Sequence, residues 1–212
     1  MKEIRENLYQ FSVYIPPMDF TIHNYLLNTD PAILFAAGTV QQAEAILPEL
    51  KEILNGKPLK YVFVSHMESD EVGGLFVLQK EWPELTVICG ELSARELFGY
   101  GFKGNILTKH EGDCLEDGEL NLSFIDYPAE VHLQNGLLCQ DNTSGILYSA
   151  DLFLRFGNGV GEVIDSEWRN EVAEINDERI PNDEVRANVQ NALMSLTPSF
   201  IAVGHGFCIN CA

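Results

Sequence analysis

The chain has 212 residues, 46% of them hydrophobic and 21% charged, with 13 Lys and Arg against 32 Asp and Glu for a formal charge of -19. This is the composition of a folded chain long enough for one sizeable core, so residues 1–212 are expected to form a single domain. The acidic excess repels phosphate backbones and anionic membranes, which argues against nucleic-acid and membrane partners. No apolar run approaches the roughly 18 residues of a bilayer span, and Met1 to Glu6 leads into no secretory segment, so a cytoplasmic protein is expected.

Leu8 to Ile15 alternates as a strand and stops at Pro16-Pro17. Ile22 to Leu27 and Ala32 to Phe35 are apolar runs joined by the turn-rich Asn28-Thr29-Asp30-Pro31, the pattern of a hairpin. Thr39 is placed to cap a helix whose Val40, Ala43, Ile46, Leu47, Leu50 and Leu54 recur at helical spacing, with Asn55-Gly56 as its stop. Leu59 to Val64 reads as a buried strand, Val72 to Trp82 as a helix stopped by Pro83, Leu85 to Cys89 as a strand and Glu91 to Phe98 as a short helix. Leu120 to Ile125 is a strand, and Gly136 to Gln140 pairs with Ile146 to Ser149 across Asp141–Gly145. Acidic residues crowd Glu162 to Glu184, which suits a solvated face better than a docking face for a basic partner. Pro181 to Leu196 is a helix with Val185, Val189, Ala192, Leu193 and Leu196 on one face, and Phe200 to Val203 is the last strand. The order implies an α/β (α+β) sandwich of two mixed sheets with helices outside.

Donor residues collect at the ends of these strands. Ser65-His66-Met67-Glu68-Ser69-Asp70-Glu71 follows one strand, His132 follows Pro128, Asp151 ends Ile146–Ala150, and His205 lies in Gly204-His205-Gly206 after the last strand. Residues i and i+2 of an extended segment point the same way, so His66 and Glu68 can reach one ion while Asp70, further into the turn, reaches a neighbouring one. Asp151 is placed to bridge the two, with His132 and His205 completing one side each. A single histidine at a strand end is most often a satisfied polar residue. Several carboxylates converging on one sheet edge are costly to desolvate, however, and cations are the usual remedy.

The His66-x-Glu68-x-Asp70 run, His132, Leu147-Tyr148-Ser149-Ala150-Asp151 and Gly204-His205-Gly206 resemble the metallo-β-lactamase superfamily, and more narrowly the diiron domain of flavodiiron proteins. The resemblance covers nearly the whole chain in order. It implies a metallo-β-lactamase-like αββα sandwich with metals at one edge of both sheets, His66, Glu68 and His132 on one iron, Asp70 and His205 on the other, and Asp151 between. Glu71 stands where superfamily members often have a histidine, which makes it a seventh candidate ligand. Carboxylates are hard donors suited to hard ions, and Glu68 replaces the histidine of a zinc hydrolase.

Two iron ions, with bound O2 as a peroxo adduct or an oxo bridge, are therefore the expected cofactor, Zn2+ being a substitute that also satisfies the donors. No phosphate-cradling loop for FMN is present in the sequence, and flavodiiron proteins carry theirs in a flavodoxin-like domain beyond the region that ends here at Ala212. On this reading the resemblance points to an oxygen-binding diiron protein, a sensor of oxygen or iron that signals to a chemotaxis receptor. An O2 or NO reductase served by a separate electron-donor flavoprotein is the alternative, and a dinuclear zinc hydrolase a third. A homodimer is compatible with either of the first two.

The remaining polar features are less informative. Five cysteines, Cys89, Cys114, Cys139, Cys208 and Cys211, argue against a disulfide framework. Cys208-x-x-Cys211 has the spacing of a metal-binding or thiol–disulfide pair, which could couple redox state to the nearby His205, but a single pair without a βαβ context reads better as a tail that merely contains two thiols. His23 reads as structural, His110 has no identifiable partner, and Tyr25, Tyr148 and Phe153 read as core rather than pocket lining.

Overall fold

The continuous apolar run Ala32–Phe35 has no polar side to turn to water, and the structure gives it none: all four residues are buried. A computed structural model describes residues 1–128 and 136–211. In it β1 (Lys2–Arg5), β2 (Leu8–Ile15), β3 (Phe20–Leu27) and β4 (Ala32–Phe35) pair antiparallel in succession. The sheet then continues in parallel through β5 (Leu59–Phe63), β6 (Thr86–Cys89) and β7 (Asn105–Thr108). Helices make the crossovers that parallel pairing requires. They are α1 (Val40–Leu54), the pair α2 (Ser69–Val72) and α3 (Leu75–Glu81), and α4 (Glu91–Gly99).

The second sheet is built from β8 (Cys114–Asp117), β9 (Leu120–Asp126), β10 (Leu137–Asp141), β11 (Ile146–Ala150), β12 (Val163–Ser166), β13 (Phe200–Val203) and β14 (Cys208–Cys211). Its order is β12-β14-β13-β11-β10-β9-β8, with β11 and β13 parallel neighbours. Between β12 and β13 come α5 (Trp168–Ala173) and α6 (Asp183–Leu193), whose Trp168, Val172, Val189 and Leu193 pack on the main core. Alternation along β4 divides the burial. Ile33 and Phe35, with Phe63 of the neighbouring β5, face Phe124 and Tyr148 of the second sheet, and Ala32 and Leu34 face Leu50 of α1 and Leu78 of α3. The result is the αββα sandwich anticipated from the sequence. No helix among the described residues is long and apolar enough to cross a membrane.

The hairpins β3–β4 and β10–β11 stand where the turn residues put them. Thr39 and Gln42 form the reciprocal capping box that starts α1. The expected helix over Val72–Trp82 is instead split at Gly73-Gly74. A Cβ on Gly74 would lie 2.3 Å from the Ala37 carbonyl oxygen and 2.5 Å from the Ala43 Cβ, and the Gly74 N–H donates to the Gly38 carbonyl at 2.7 Å. The break lets the chain press against the β4–α1 turn, which brings the donor run onto the sheet edge.

One other expectation changes and one alternative is set aside. The helix expected from Pro181 to Leu196 is shorter, starting after Asn182, whose side chain caps it. The Cys208–Cys211 pair lies on one extended strand, where residues three apart are separated by roughly 10 Å. A disulfide needs Cα atoms within about 7 Å, so this strand does not act as a thiol–disulfide couple.

Phe63 carries much of the inter-sheet packing: it is fully buried and its ring meets Phe35, Phe124 and Tyr148. Phe63→Ala is expected to lower the unfolding free energy by about 3–5 kcal/mol in urea denaturation. A loss under about 1 kcal/mol would contradict the packing described here.

Candidate metal centre

The strand ends that the topology brings together carry the donors. β5 leaves the first sheet through Ser65 into His66, Glu68 is the residue before α2, and Asp70 lies in the first turn of that helix. From the second sheet, β11 delivers Asp151 and its parallel neighbour β13 delivers His205. The turn into Asp151 is tight. Ala150 holds φ 44°, a left-handed conformation costing an alanine about 1–2 kcal/mol, and the Gly204 N–H donates to its carbonyl at 2.8 Å.

The five side chains converge in a particular way. Asp151 points Oδ2 at His66 Nε2, 3.5 Å away, and Oδ1 at His205 Nε2, 3.1 Å away. Glu68 Oε2 lies 3.9 Å from His66 Nε2, and Asp70 Oδ2 lies 3.4 Å from His205 Nε2. His66, Glu68 and Asp151 each place one ligand atom within 4.8 Å of the others. Donors around an ion at about 2.1 Å stand some 3–4 Å from one another, so the His66, Glu68 and Asp151 half has the spacing of a metal pocket, and Asp70 and Asp151 each approach His205 at a comparable distance. His132 lies outside the described residues.

Hydrogen bonding decides which atoms are free. His66 is buried, and among the described residues neither of its ring nitrogens has a hydrogen-bond partner. Two unpartnered polar atoms are costly inside a protein, and an ion on Nε2 would remove one of those costs. His205 donates from Nδ1 to the Thr21 carbonyl at 3.0 Å, which leaves Nε2 facing Asp70 and Asp151, where it donates a proton to Asp151 in the metal-free protein and could instead take an ion. Phe20 stacks on the His205 ring with centroids 4.3 Å apart.

Glu71 takes a different place. The Ser65 N–H donates to its Oε2 at 3.0 Å and the Tyr148 hydroxyl donates to its Oε1 at 2.5 Å. Burial pushes this carboxyl up to about 7, against the pull of His66 and of its hydrogen bonds. Both Glu71 oxygens are engaged by the sheets that carry the site. Tyr25 and Tyr148 are fully buried and Phe153 packs on Trp168, so these aromatics belong to the core. His110 is exposed, 4.0 Å from Glu91.

A cavity of about 330 Å³ opens beside Asp151, lined by Tyr127, Leu152, Arg179, Ile180 and Val185 among others. Arg179 and Ile180 come from the acidic stretch that the sequence offered only as a solvated or docking face. No spacing rule links them to Asp151; the chain returning before α6 does.

The charges couple. Burial alone would raise Asp151, but the hydrogen bond from His205 and the charges of His66 and His205 outweigh it and hold the carboxyl low. Burial likewise lowers His66, yet Glu68, Glu71 and Asp151 together hold it up at about 9.

A family model described as ODP family beta lactamase matches residues 20–206. The anaerobic nitric oxide reductase flavorubredoxin of Vibrio vulnificus is 20% identical over 134 residues, 62% of this chain and 27% of that protein. The metal-soaked flavodiiron core from Synechocystis sp. PCC6803 superposes with a TM-score of 0.76 at 20% identity, over 96% of this chain and 54% of that one. Rubredoxin oxygen:oxidoreductase from Desulfovibrio gigas gives 0.77 at 17% identity, over 99% and 57%. At these identities the structural likeness establishes the fold. The chain spans between 23% and 52% of the length of the curated relatives it matches.

His66 supplies a pH test of the metal-free protein. A histidine raised from 6.5 to about 9 by folding contributes stability that is fully present below 6.5 and lost as the pH rises through about 9. In chelator, the denaturation midpoint should fall across that window, and His66→Gln should flatten it. With metal bound the slope should vanish, because the ion takes the proton's place. A wild-type midpoint that rises with pH there would refute the assignment.

Proposed function

The chain belongs to the ODP family of beta-lactamase-fold proteins, and from that premise we propose that it is a non-haem diiron protein that binds O2 and serves as an oxygen or iron sensor, reporting to a chemotaxis receptor. The observation that carries the metal reading is Asp151, whose two oxygens face two histidines from different strand ends. On this reading His66, Glu68 and His132 hold one iron, Asp70 and His205 hold the other, and Asp151 joins them within one domain over residues 1–212. On the same reading Glu71 is left out of the ligand set, a choice supported by the hydrogen bonds its two oxygens accept from Ser65 and Tyr148.

The bound irons would supply a site for O2 and the electrons to reduce it part way. The chain's own residues do the rest. Glu68, Asp70 and Asp151 are hard anionic donors that favour iron over a softer ion. His205 is kept in one tautomer by Thr21. Phe20 covers its ring on one side. The cavity beside Asp151 gives a small molecule a way in. Full reduction of O2 to water takes four electrons and two ferrous ions hold two, so the pair alone favours binding, and turnover requires an external donor.

That donor defines the second reading, an O2 or NO reductase fed by a separate flavoprotein. It is favoured by the names of two of the similar proteins, a nitric oxide reductase and an oxygen:oxidoreductase. A cytoplasmic homodimer suits both readings.

Anaerobic loading with ferrous iron followed by air separates the possibilities. Two irons per chain and a visible absorption that persists without steady O2 consumption are expected, and Asp151→Ala should lose both ions. Sustained O2 or NO consumption with a reduced flavoprotein would turn the assignment to the reductase. A colourless protein whose zinc form hydrolyses test esters would overturn the diiron reading.

A further inference from the structure

His205 reaches the site on a short loop between β13 and β14, flanked by Gly204 and Gly206. Two glycines leave such a loop with the largest conformational entropy to lose, so something must hold it. The holding groups come from the other sheet. The His23 backbone N–H on β3 donates to the Gly204 carbonyl at 2.9 Å, and the His23 ring Nε2 lies 2.7 Å from the Gly206 carbonyl. A carbonyl only accepts, so Nε2 carries the proton and Nδ1 is the acceptor. The Ser12 hydroxyl on β2 fills that need, 2.7 Å from Nδ1. One buried residue thereby ties down both sides of His205, Gly204 through its backbone and Gly206 through its ring, and a serine on the neighbouring strand fixes the tautomer of that ring.

Neither His23 nor Ser12 holds the other half of the centre. Among the described residues His66 has no hydrogen bond on either ring nitrogen, and its place is set by β5 and by Glu71 gripping the Ser65 N–H. His23 and Ser12 touch neither His66 nor Glu68 through any of these bonds. The geometry points to His23 as the positioning residue for one ion only, the ion between Asp70, His205 and Asp151, with Ser12 acting through it. The assignment rests on the dinuclear reading given above. It predicts that occupancy of the two halves can be uncoupled by a residue that contacts no metal.

The test is an anaerobic titration of the metal-free protein with ferrous ion alone, read as stoichiometry and as two affinities by chelator competition. The wild type should take up two ions. His23→Leu keeps much of the bulk but no donor, and should weaken the second ion by about 10–100-fold while leaving the first within about threefold. His23→Gln restores an N–H toward the Gly206 carbonyl and should recover most of the loss. Ser12→Ala, at a half-buried strand position, should fall between wild type and His23→Leu, and it decides the matter if His23→Leu does not fold.

A role in packing alone predicts the reverse order, with Leu tolerated better than Gln. That order would overturn the inference, as would equal weakening of both ions or a second affinity within about threefold of wild type in every variant. A wild-type protein that binds one ion would overturn the dinuclear reading first, and this inference with it.

Discussion

The arrangement depends on one carboxylate. Asp151 cannot serve His66 and His205 together unless β5 of the first sheet and β11 and β13 of the second end at the same edge of the sandwich. Its Oδ2 and Oδ1 stand 3.5 and 3.1 Å from the two imidazole nitrogens. Asp70 and Glu68 crowd the same few ångströms. Without cations, three carboxylates here raise the proton affinity of both histidines, as the upward shifts of His66 and His205 record. With cations, the same field becomes the binding energy. The fold is therefore constrained less by its core, which many sequences could fill, than by the need to bring these strand ends into register.

Several otherwise odd features follow from that constraint. Ala150 accepts a left-handed backbone so that Asp151 turns into the gap between the sheets. The register shift between Tyr148 and Ala150 in the β11–β13 ladder offsets the two strand ends. Gly73 and Gly74 let α2 lie close to the Gly38 backbone and carry Asp70 to the His205 side. Glu71, next to Asp70, is spent on structure. It receives Tyr148 from the second sheet and Ser65 from the first, and so pins the two halves of the site to each other. A buried carboxyl with both oxygens hydrogen-bonded is tolerable there where an unpaired one would not be.

Much of this was readable before any coordinates. Ala32–Phe35 and Ile146–Tyr148 are continuous apolar runs and Leu59–Val64 is broken only by Lys60, and strands buried on both faces leave that trace. Thr39 with Gln42, and Asn28–Pro31, are local devices that work within a few residues. Residue type and strand-end position marked His66, Glu68, Asp70, Asp151 and His205 as candidates, and the structure brings these five side chains together. What stayed hidden depends on contacts distant in sequence. β8 and β12 are half-exposed edge strands with charges in them, Cys-Leu-Glu-Asp and Val-Ile-Asp-Ser, and nothing local separates them from loops. The orientation of Glu71 is set by Tyr148, 77 residues away. The partners of His23 include Gly206, 183 residues away, so a histidine that reads as structural in the sequence lies against the loop that carries His205.

The central claim is that Asp151 lies between two ions. The most direct measurement is anomalous diffraction at the iron edge from crystals of protein loaded anaerobically with ferrous iron. The account predicts two anomalous peaks on opposite sides of the Asp151 carboxylate, one against His66 and Glu68 and the other against Asp70 and His205. A single peak, or two peaks of which neither touches Asp151, would contradict it.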